Sequence, residues 1–134
     1  MTTAERQLET AWWTLRIALG GAAFLAGLDK FFDLLTTWDM YLAPWAAGLL
    51  PVSSATFFRL VGIVEMAAGA LVLSKLTRLG AYVVAAWLVA IALQLVSTGM
   101  FYDLAVRDLV MASAAFALAK LSEWRAARRS AVAA

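Results

Sequence analysis

The sequence contains neither cysteine nor histidine. Without cysteine the chain can form no disulfide and supplies no thiol nucleophile. Without either residue it lacks the ligands typical of zinc sites and the histidine that commonly binds haem iron. We therefore expect no metal site and no covalently attached cofactor, so a redox role would depend on a bound organic molecule or a partner subunit.

Charged side chains are also scarce, at 15% of the sequence against about 25% in typical soluble domains. Hydrophobic residues make up 64% of the sequence, and the mean hydropathy is +0.83. A soluble domain of 134 residues could not bury so much apolar surface in one small core. We therefore expect residues 1–134 to form a single transmembrane domain.

Four hydrophobic segments are long enough to cross about 30 Å of hydrocarbon, which takes about 20 helical residues. They lie at residues 12–35, 55–74, 79–98 and 104–121. The first is too long for a cleaved secretory signal and contains Arg16 near its start, so we expect a retained helix. The sequence thus predicts an all-α fold, an integral membrane four-helix bundle.

The connection between the first two segments, residues 36–54, is long and rich in aromatic residues. Trp38 and Trp45 carry amphipathic rings of the kind that favour a membrane interface. We expect this connection to form a short interfacial or re-entrant helix. Ser53 or Ser54 should then be the N-cap of the second segment.

Basic residues are distributed unequally between the two sides of a four-span arrangement. One side collects Arg6, Arg16, Lys75, Arg78, Lys120, Arg125, Arg128 and Arg129. Because basic residues favour the cytoplasmic side, both termini are predicted to be cytoplasmic (N-in, C-in), in a bacterial-type inner membrane. The basic tail, residues 122–134, would then lie on anionic lipid, and it is too short and too interrupted by acid to predict nucleic-acid binding.

Small residues share one face with charges on each of the first two helices, because steps of three and four residues return to the same side. The two faces consist of Arg16, Gly20, Ala23, Gly27 and Lys30 in the first helix and of Arg59, Gly62, Glu65, Gly69 and Val72 in the second. In membranes, small residues allow helix backbones to approach closely. We therefore expect the glycines to serve helix packing.

Glu65 lies near the middle of an otherwise apolar helix. A charge at that depth costs on the order of 3 kcal/mol on insertion scales, so it normally faces a partner inside the protein. Arg16 is predicted to be this partner in preference to Arg59, because its guanidinium can reach inward and present a fork to the carboxylate. Two interpretations stay open: a structural ion pair that sets helix register, or a proton-bearing group of a ligand pocket.

Other polar residues form two further candidate sets. The predicted buried polar core or ligand pocket consists of Arg16, Lys30, Arg59, Glu65, Trp87, Gln94 and Arg107, and the predicted extracytoplasmic charge cluster contains Asp29, Asp33, Asp103 and Asp108. Gln94 should bond a neighbouring helix or contact a ligand. Asp103 and Arg107 have the spacing of an intrahelical pair. The cluster is a candidate site for a lipid headgroup, an anionic or quinone-type ligand, or a partner protein.

Four short motifs occur in order along most of the chain: Leu15–Gly20, Ala26–Phe31, Val61–Gly69 and Arg107–Leu109. Together they resemble the DoxX family of small membrane proteins. The resemblance implies a four-helix membrane fold, with Arg16, Lys30, Glu65 and Arg107 as the polar core. For the family's namesake it implies membership of a thiosulfate:quinone oxidoreductase, in which a subunit of this type lies in the membrane.

Three functions fit these observations. The first is an accessory or anchoring subunit of a larger membrane-bound, quinone-linked respiratory or redox complex, without catalytic activity alone. The second is a quinone-interacting oxidoreductase subunit in which Glu65 transfers protons and Trp87 lies beside the ring. The third is a small oligomeric carrier. The expected partners are membrane lipid and either other membrane subunits or further copies of the chain, and the expected ligand is a quinone or a lipid.

Overall fold

The computed structural model describes residues 1–134, and all of its regular elements are helical. In chain order they are α1 (Thr3–Asp29), a 3₁₀ turn (Trp38–Tyr41), α2 (Pro44–Leu49), α3 (Ser54–Leu73), α4 (Thr77–Ser97) and α5 (Tyr102–Ala133). The all-α prediction is confirmed. The connection between the first two long helices contains the short helix α2, as expected.

The four long helices form a ring in which α1 packs on α3 and α5, and α4 packs on the same two helices. Neighbours run antiparallel, because tight connections join α3 to α4 and α4 to α5. Leu118 and Val72 are the largest fully buried side chains of the core between them. Alanines fill much of the remaining core, so the helices approach closely.

The surface of the ring carries many large apolar side chains. Ile17 on α1, Leu93 on α4 and Val110 on α5 are 60%, 65% and 64% exposed. Helices α1, α3 and α4 are long and apolar enough to span a membrane. An apolar exterior over such helices is expected where lipid surrounds the protein, so the fold is consistent with a multi-pass membrane protein.

The ends of α1 differ from the predicted segment 12–35. The helix begins at Thr3 because Thr2 and Glu5 form a capping box, in which the Glu5 amide donates to Thr2 Oγ1 at 3.1 Å and the Thr2 amide to Glu5 Oε2 at 2.7 Å. It ends at Asp29. The Asp29 carboxylate accepts the amides of Leu34 and Leu35, both at 2.9 Å, and these bonds hold the chain in a turn after α1.

Helix α5 is much longer than the predicted segment 104–121. It continues to Ala133, so the basic tail is helical. Arg125 contacts Glu9 at 2.7 Å and Arg128 contacts Glu5 at 3.2 Å, and these ion pairs join the tail to the first turns of α1. The N-cap of α3 agrees with expectation, because Ser53 Oγ accepts the Thr56 amide at 3.2 Å.

Two glycines set the register of α1 on α3. A Cβ atom on Gly27 would lie 2.5 Å from the Gly62 carbonyl oxygen, and a Cβ on Gly62 would lie 2.5 Å from the Gly27 carbonyl oxygen. Only hydrogen fits at both positions. In this antiparallel register, Gly27 faces the Glu65 side chain and Gly62 faces Lys30.

Candidate functional site

A buried ion pair joins α1 to α3. Lys30 Nζ lies 2.6 Å from Glu65 Oε2, and the two side chains are only 4% and 9% exposed. The pair exists because the contact of Gly27 with Gly62 brings the end of α1 against the middle of α3. Each charge therefore has a partner of opposite sign in surroundings where an isolated charge would be costly.

Two tryptophans complete the contacts of this pair. Trp87 Nε1 on α4 donates to Glu65 Oε1 at 3.2 Å, so both carboxylate oxygens accept a hydrogen bond. Trp38, in the 3₁₀ turn, places its ring centroid 3.6 Å from Lys30 Nζ. An ammonium over an indole face is a favourable cation–π arrangement, especially where water is excluded.

Asp29 holds Trp38 in place. Besides the two backbone amides after α1, its carboxylate accepts the Trp38 indole N–H at 3.0 Å. Asp29 is buried. It therefore orders the turn that covers Lys30, whereas the sequence predicted that it belongs to an extracytoplasmic charge cluster.

A cavity of about 300 Å³ lies inside the ring beside the ion pair. All four long helices and the 3₁₀ turn line it. Fifteen of its 18 lining residues are hydrophobic, and the other three are Lys30, Glu65 and Asp108. Its volume falls at the lower end of the range of about 300–1,000 Å³ typical of small-molecule pockets. An apolar chamber with a few convergent polar groups suits an apolar ligand that carries polar atoms on one side.

Asp108, in the first turns of α5, is the third charged residue of the cavity. It is partly buried, and neither a salt bridge nor a side-chain hydrogen bond occupies its carboxylate. Glu65, in contrast, has both oxygens engaged. Asp108 is thus the cavity acid that is free to bond a ligand. The sequence had assigned it to the extracytoplasmic cluster.

No protein-family model, curated protein or solved structure matches the chain.

The prediction that Arg16 pairs with Glu65 is wrong, because Lys30 occupies that position. Arg16 instead donates to the carbonyls at the end of α3: Val72 and Ser74 at 3.2 Å each, and Leu73. The last carbonyls of a helix have no partner within it and carry partial negative charge, so a five-donor guanidinium satisfies several at once. Arg16 also lies about 16 Å along α1 from Gly27, the position facing Glu65, at about 1.5 Å per residue.

Lys30, Glu65 and Trp87 of the predicted pocket do line the cavity, whereas Arg59, Gln94 and Arg107 lie outside it. Arg59 and Arg107 are exposed and line no part of the cavity. Gln94 Oε1 accepts the Ala43 amide at 2.5 Å, and its Nε2 donates to the Tyr41 carbonyl at 3.0 Å. Gln94 therefore binds the loop before α3, where a bond to a neighbouring helix or a ligand contact had been expected.

The predicted extracytoplasmic charge cluster does not form a connected group. Asp33 and Asp103 are exposed, and no ion pair joins Asp103 to Arg107. Asp29 is bonded to the turn after α1, and Asp108 lines the cavity. The cluster divides because only the latter two lie on helix faces that the ring buries.

One sequence signal could have identified the true pair. The two glycine-bearing faces each place a charge three residues after a glycine, Lys30 after Gly27 and Glu65 after Gly62. Packing these faces antiparallel with the glycines in contact brings Lys30 to Glu65. No comparable signal indicates Trp38, because its position depends on the turn that Asp29 orders.

Proposed function

We propose that this chain is an N-in, C-in four-helix membrane bundle that binds a quinone-type ligand in the cavity of its ring. In this proposal it acts as a DoxX-like subunit of a larger quinone-linked redox assembly in a bacterial-type inner membrane. The observation that carries the proposal is the largely apolar cavity in which Lys30, Glu65 and Asp108 converge.

Membrane insertion of all four long helices is supported by the shape of the ring. Helix α5 packs against α4 and α1, and its apolar middle has exposed side chains such as Val110 and Phe116. Charged residues bracket that middle, with Arg107 and Asp108 before it and Lys120 after it. A helix that completes a ring with three apolar helices, and is itself apolar outside, fits the bilayer as a fourth span.

The lining of the cavity fits a quinone ring. The walls are apolar, and Trp87 offers an aromatic surface within a few ångströms of the charged pair. A quinone is a flat ring with carbonyl oxygens, so it needs apolar contact over its faces and hydrogen-bond donors at its edge. The ammonium of Lys30 has three donors, and Glu65 accepts one of them.

The charged residues would have separate tasks. Lys30 would donate to a carbonyl oxygen of the ligand, and Glu65 with Trp38 would hold the ammonium in place. Asp108 would accept a hydrogen bond from a hydroxyl of the reduced ligand, because no other group of the protein occupies its carboxylate. This assigns the proton-exchanging role to Asp108 and gives Glu65 a positioning role. The sequence had left open whether Glu65 forms a structural ion pair or carries the proton of a ligand pocket.

A subunit role follows from the side chains the chain lacks. With neither cysteine nor histidine, the protein has no thiol for sulfur transfer and no histidine for a haem. Electrons for a quinone would therefore come from a partner subunit. The DoxX resemblance of the motifs around Lys30 and Glu65 supports the same assignment.

The test is equilibrium binding of a short-chain ubiquinone analogue to the purified protein in neutral detergent. The cavity-filling variant Ala23→Phe should raise the dissociation constant by about tenfold or more, since the new ring takes the space of the ligand. Lys30→Met should also weaken binding, by about tenfold for the loss of one charged hydrogen bond.

The matched control is Ala86→Phe, which adds the same ring at an exposed position of α4 outside the cavity. Its dissociation constant should equal that of the unmodified protein. Binding that is not saturable, or that Ala23→Phe and Ala86→Phe affect equally, would show partitioning into detergent and would refute the cavity as the site.

A further inference from the structure

A second cavity, of about 590 Å³, opens at the end of the ring opposite the Lys30–Glu65 pair. It lies between α1, the α3–α4 connection and the last third of α5. Five of its 11 lining residues are basic and none is acidic. The five are Arg16, Lys75, Arg78, Arg125 and Arg129. We call this cavity the basic cleft.

Acidic residues nearby compensate only part of this charge. Arg125 contacts Glu9 at 2.7 Å, and Arg78 contacts Glu123 at 3.4 Å. The Lys120 ammonium, hydrogen-bonded to Glu123, lowers the pKa of that carboxyl, so Glu123 is ionised at neutral pH. These two acids lie outside the cleft.

The remaining three charges have no acidic partner. Lys75 and Arg129 take part in no salt bridge, and Arg16 donates to a hydroxyl and to carbonyls whose partial negative charge offsets only part of its full positive charge. The cleft therefore carries uncompensated positive charge from three separate segments of the chain. Charge gathered in a concave site raises the local concentration of anions.

Further features of the cleft suit a phosphate group at a membrane surface. Helix α4 begins at Thr77, which lines the cleft, and no side chain caps its first amides. The partial positive end of that helix therefore lies at the cleft. Trp12 and Trp13 line the cleft on α1, and tryptophan is enriched where membrane meets water. The α3–α4 connection and the basic tail both lie at the same end of the apolar helices.

We propose that the basic cleft binds the phosphate group of an anionic phospholipid on the cytoplasmic side of the membrane. Lys75 and Arg129 contact the phosphate, Arg125 and Arg78 line its surroundings, and the Trp13 ring, partly exposed, lies beside the lipid at the interface. The cleft shares no residue with the proposed quinone cavity, so a failure of quinone binding would leave this proposal standing. Its placement on the cytoplasmic side rests on the N-in, C-in topology of the proposed function.

The experiment uses native mass spectrometry of the full-length chain in neutral detergent, titrated with phosphatidylglycerol and, separately, with phosphatidylcholine. The double variant Lys75→Ser/Arg129→Ser should bind phosphatidylglycerol about thirtyfold more weakly, given the usual contribution of a basic residue near anionic lipid. Both residues are exposed and make no salt bridge, so their replacement leaves the fold intact.

The control is Arg59→Ser/Arg107→Ser, which removes two exposed basic residues at the other end of the ring. It should bind phosphatidylglycerol as the unmodified protein does. Equal weakening in both double variants, or equal binding of phosphatidylcholine and phosphatidylglycerol, would overturn the proposal.

A third arm separates a lipid from a soluble source of phosphate. Inorganic phosphate at millimolar concentration should not displace phosphatidylglycerol, because it lacks the acyl chains that hold the lipid beside Trp13. A different result is that inorganic phosphate displaces the lipid from the unmodified protein and does not bind the Lys75→Ser/Arg129→Ser variant. This result would confirm a phosphate site in the cleft, overturn the lipid as its ligand and assign a soluble phosphate instead.

Discussion

Burial of the Lys30–Glu65 ion pair has two opposing effects on its free energy: it strengthens the attraction between the charges and it removes their hydration. At 2.6 Å in a low-dielectric interior the attraction is large, but both groups have lost their water. Removing one partner leaves the other charge buried and unpaired, which destabilises the protein more than replacing both residues by apolar ones. The effect of substituting either residue on the free energy of unfolding should therefore depend strongly on whether the other residue is present.

A double-mutant cycle measures this dependence. Lys30→Met or Glu65→Leu alone should lower the free energy of unfolding by about 3–5 kcal/mol, while Lys30→Met/Glu65→Leu should be nearly neutral or more stable than the unmodified protein. The readout is unfolding in mixed micelles with increasing SDS. Additive losses in the double variant would show that the pair is not coupled as the structure indicates.

The contact between α1 and α3 depends on glycine more than on any large side chain. At Gly27 and Gly62 the backbones touch, and at Gly69 an added Cβ would lie 2.6 Å from the Phe24 amide nitrogen. Because backbone atoms cannot move aside as a flexible side chain can, these positions set the distance and register of the two helices. The register in turn brings Lys30 to Glu65.

Alanine substitution tests this contact. Gly27→Ala or Gly62→Ala should destabilise the protein by about 1–3 kcal/mol, the usual cost of overpacking, and should weaken ligand binding by moving Lys30 away from Glu65. Gly21→Ala is the matched control, because a Cβ there meets nothing within 4 Å. The control should be stabilised by up to about 1 kcal/mol, since alanine favours a helix. Equal effects at Gly21 and Gly27 would contradict the close approach.

The ring as a whole determines which ends of the helices share a side of the membrane. With four spans, the connection before α3 and the end of α5 lie on opposite sides. With three spans, in which α5 stays outside the bilayer, they lie on the same side. The number of spans matters because α5 carries both Asp108 and the basic tail. Only a fourth span places these two ends of α5 on opposite sides of the membrane.

The absence of cysteine allows a direct test with engineered thiols. Asp39→Cys and Ser130→Cys both place the thiol at an exposed position. A membrane-impermeant maleimide should label Asp39→Cys in intact cells and Ser130→Cys only after permeabilisation. Labelling of both in intact cells would indicate three spans. The unmodified chain gives the background of the assay.

Much of the architecture was predictable because it depends on composition and local periodicity. Apolar runs of about 20 residues predict helices that can cross a membrane wherever they occur, and the observed α3 (Ser54–Leu73) and α4 (Thr77–Ser97) lie within two residues of segments 55–74 and 79–98. The ends of α1 and α5 were not predicted, because a capping box, the Asp29 bonds and ion pairs between the two helices determine them.

The sequence by itself determined the all-α fold class, the long apolar helices, the glycine-bearing faces and the need of Glu65 for a partner. Only the tertiary structure decided that the partner is Lys30, that Arg16 binds the end of α3, and that Asp108 joins the cavity. The reason is register: helical periodicity tells which residues share a face, but which charge meets which depends on how far one helix slides along another. Backbone contact at Gly27 and Gly62 sets that distance here.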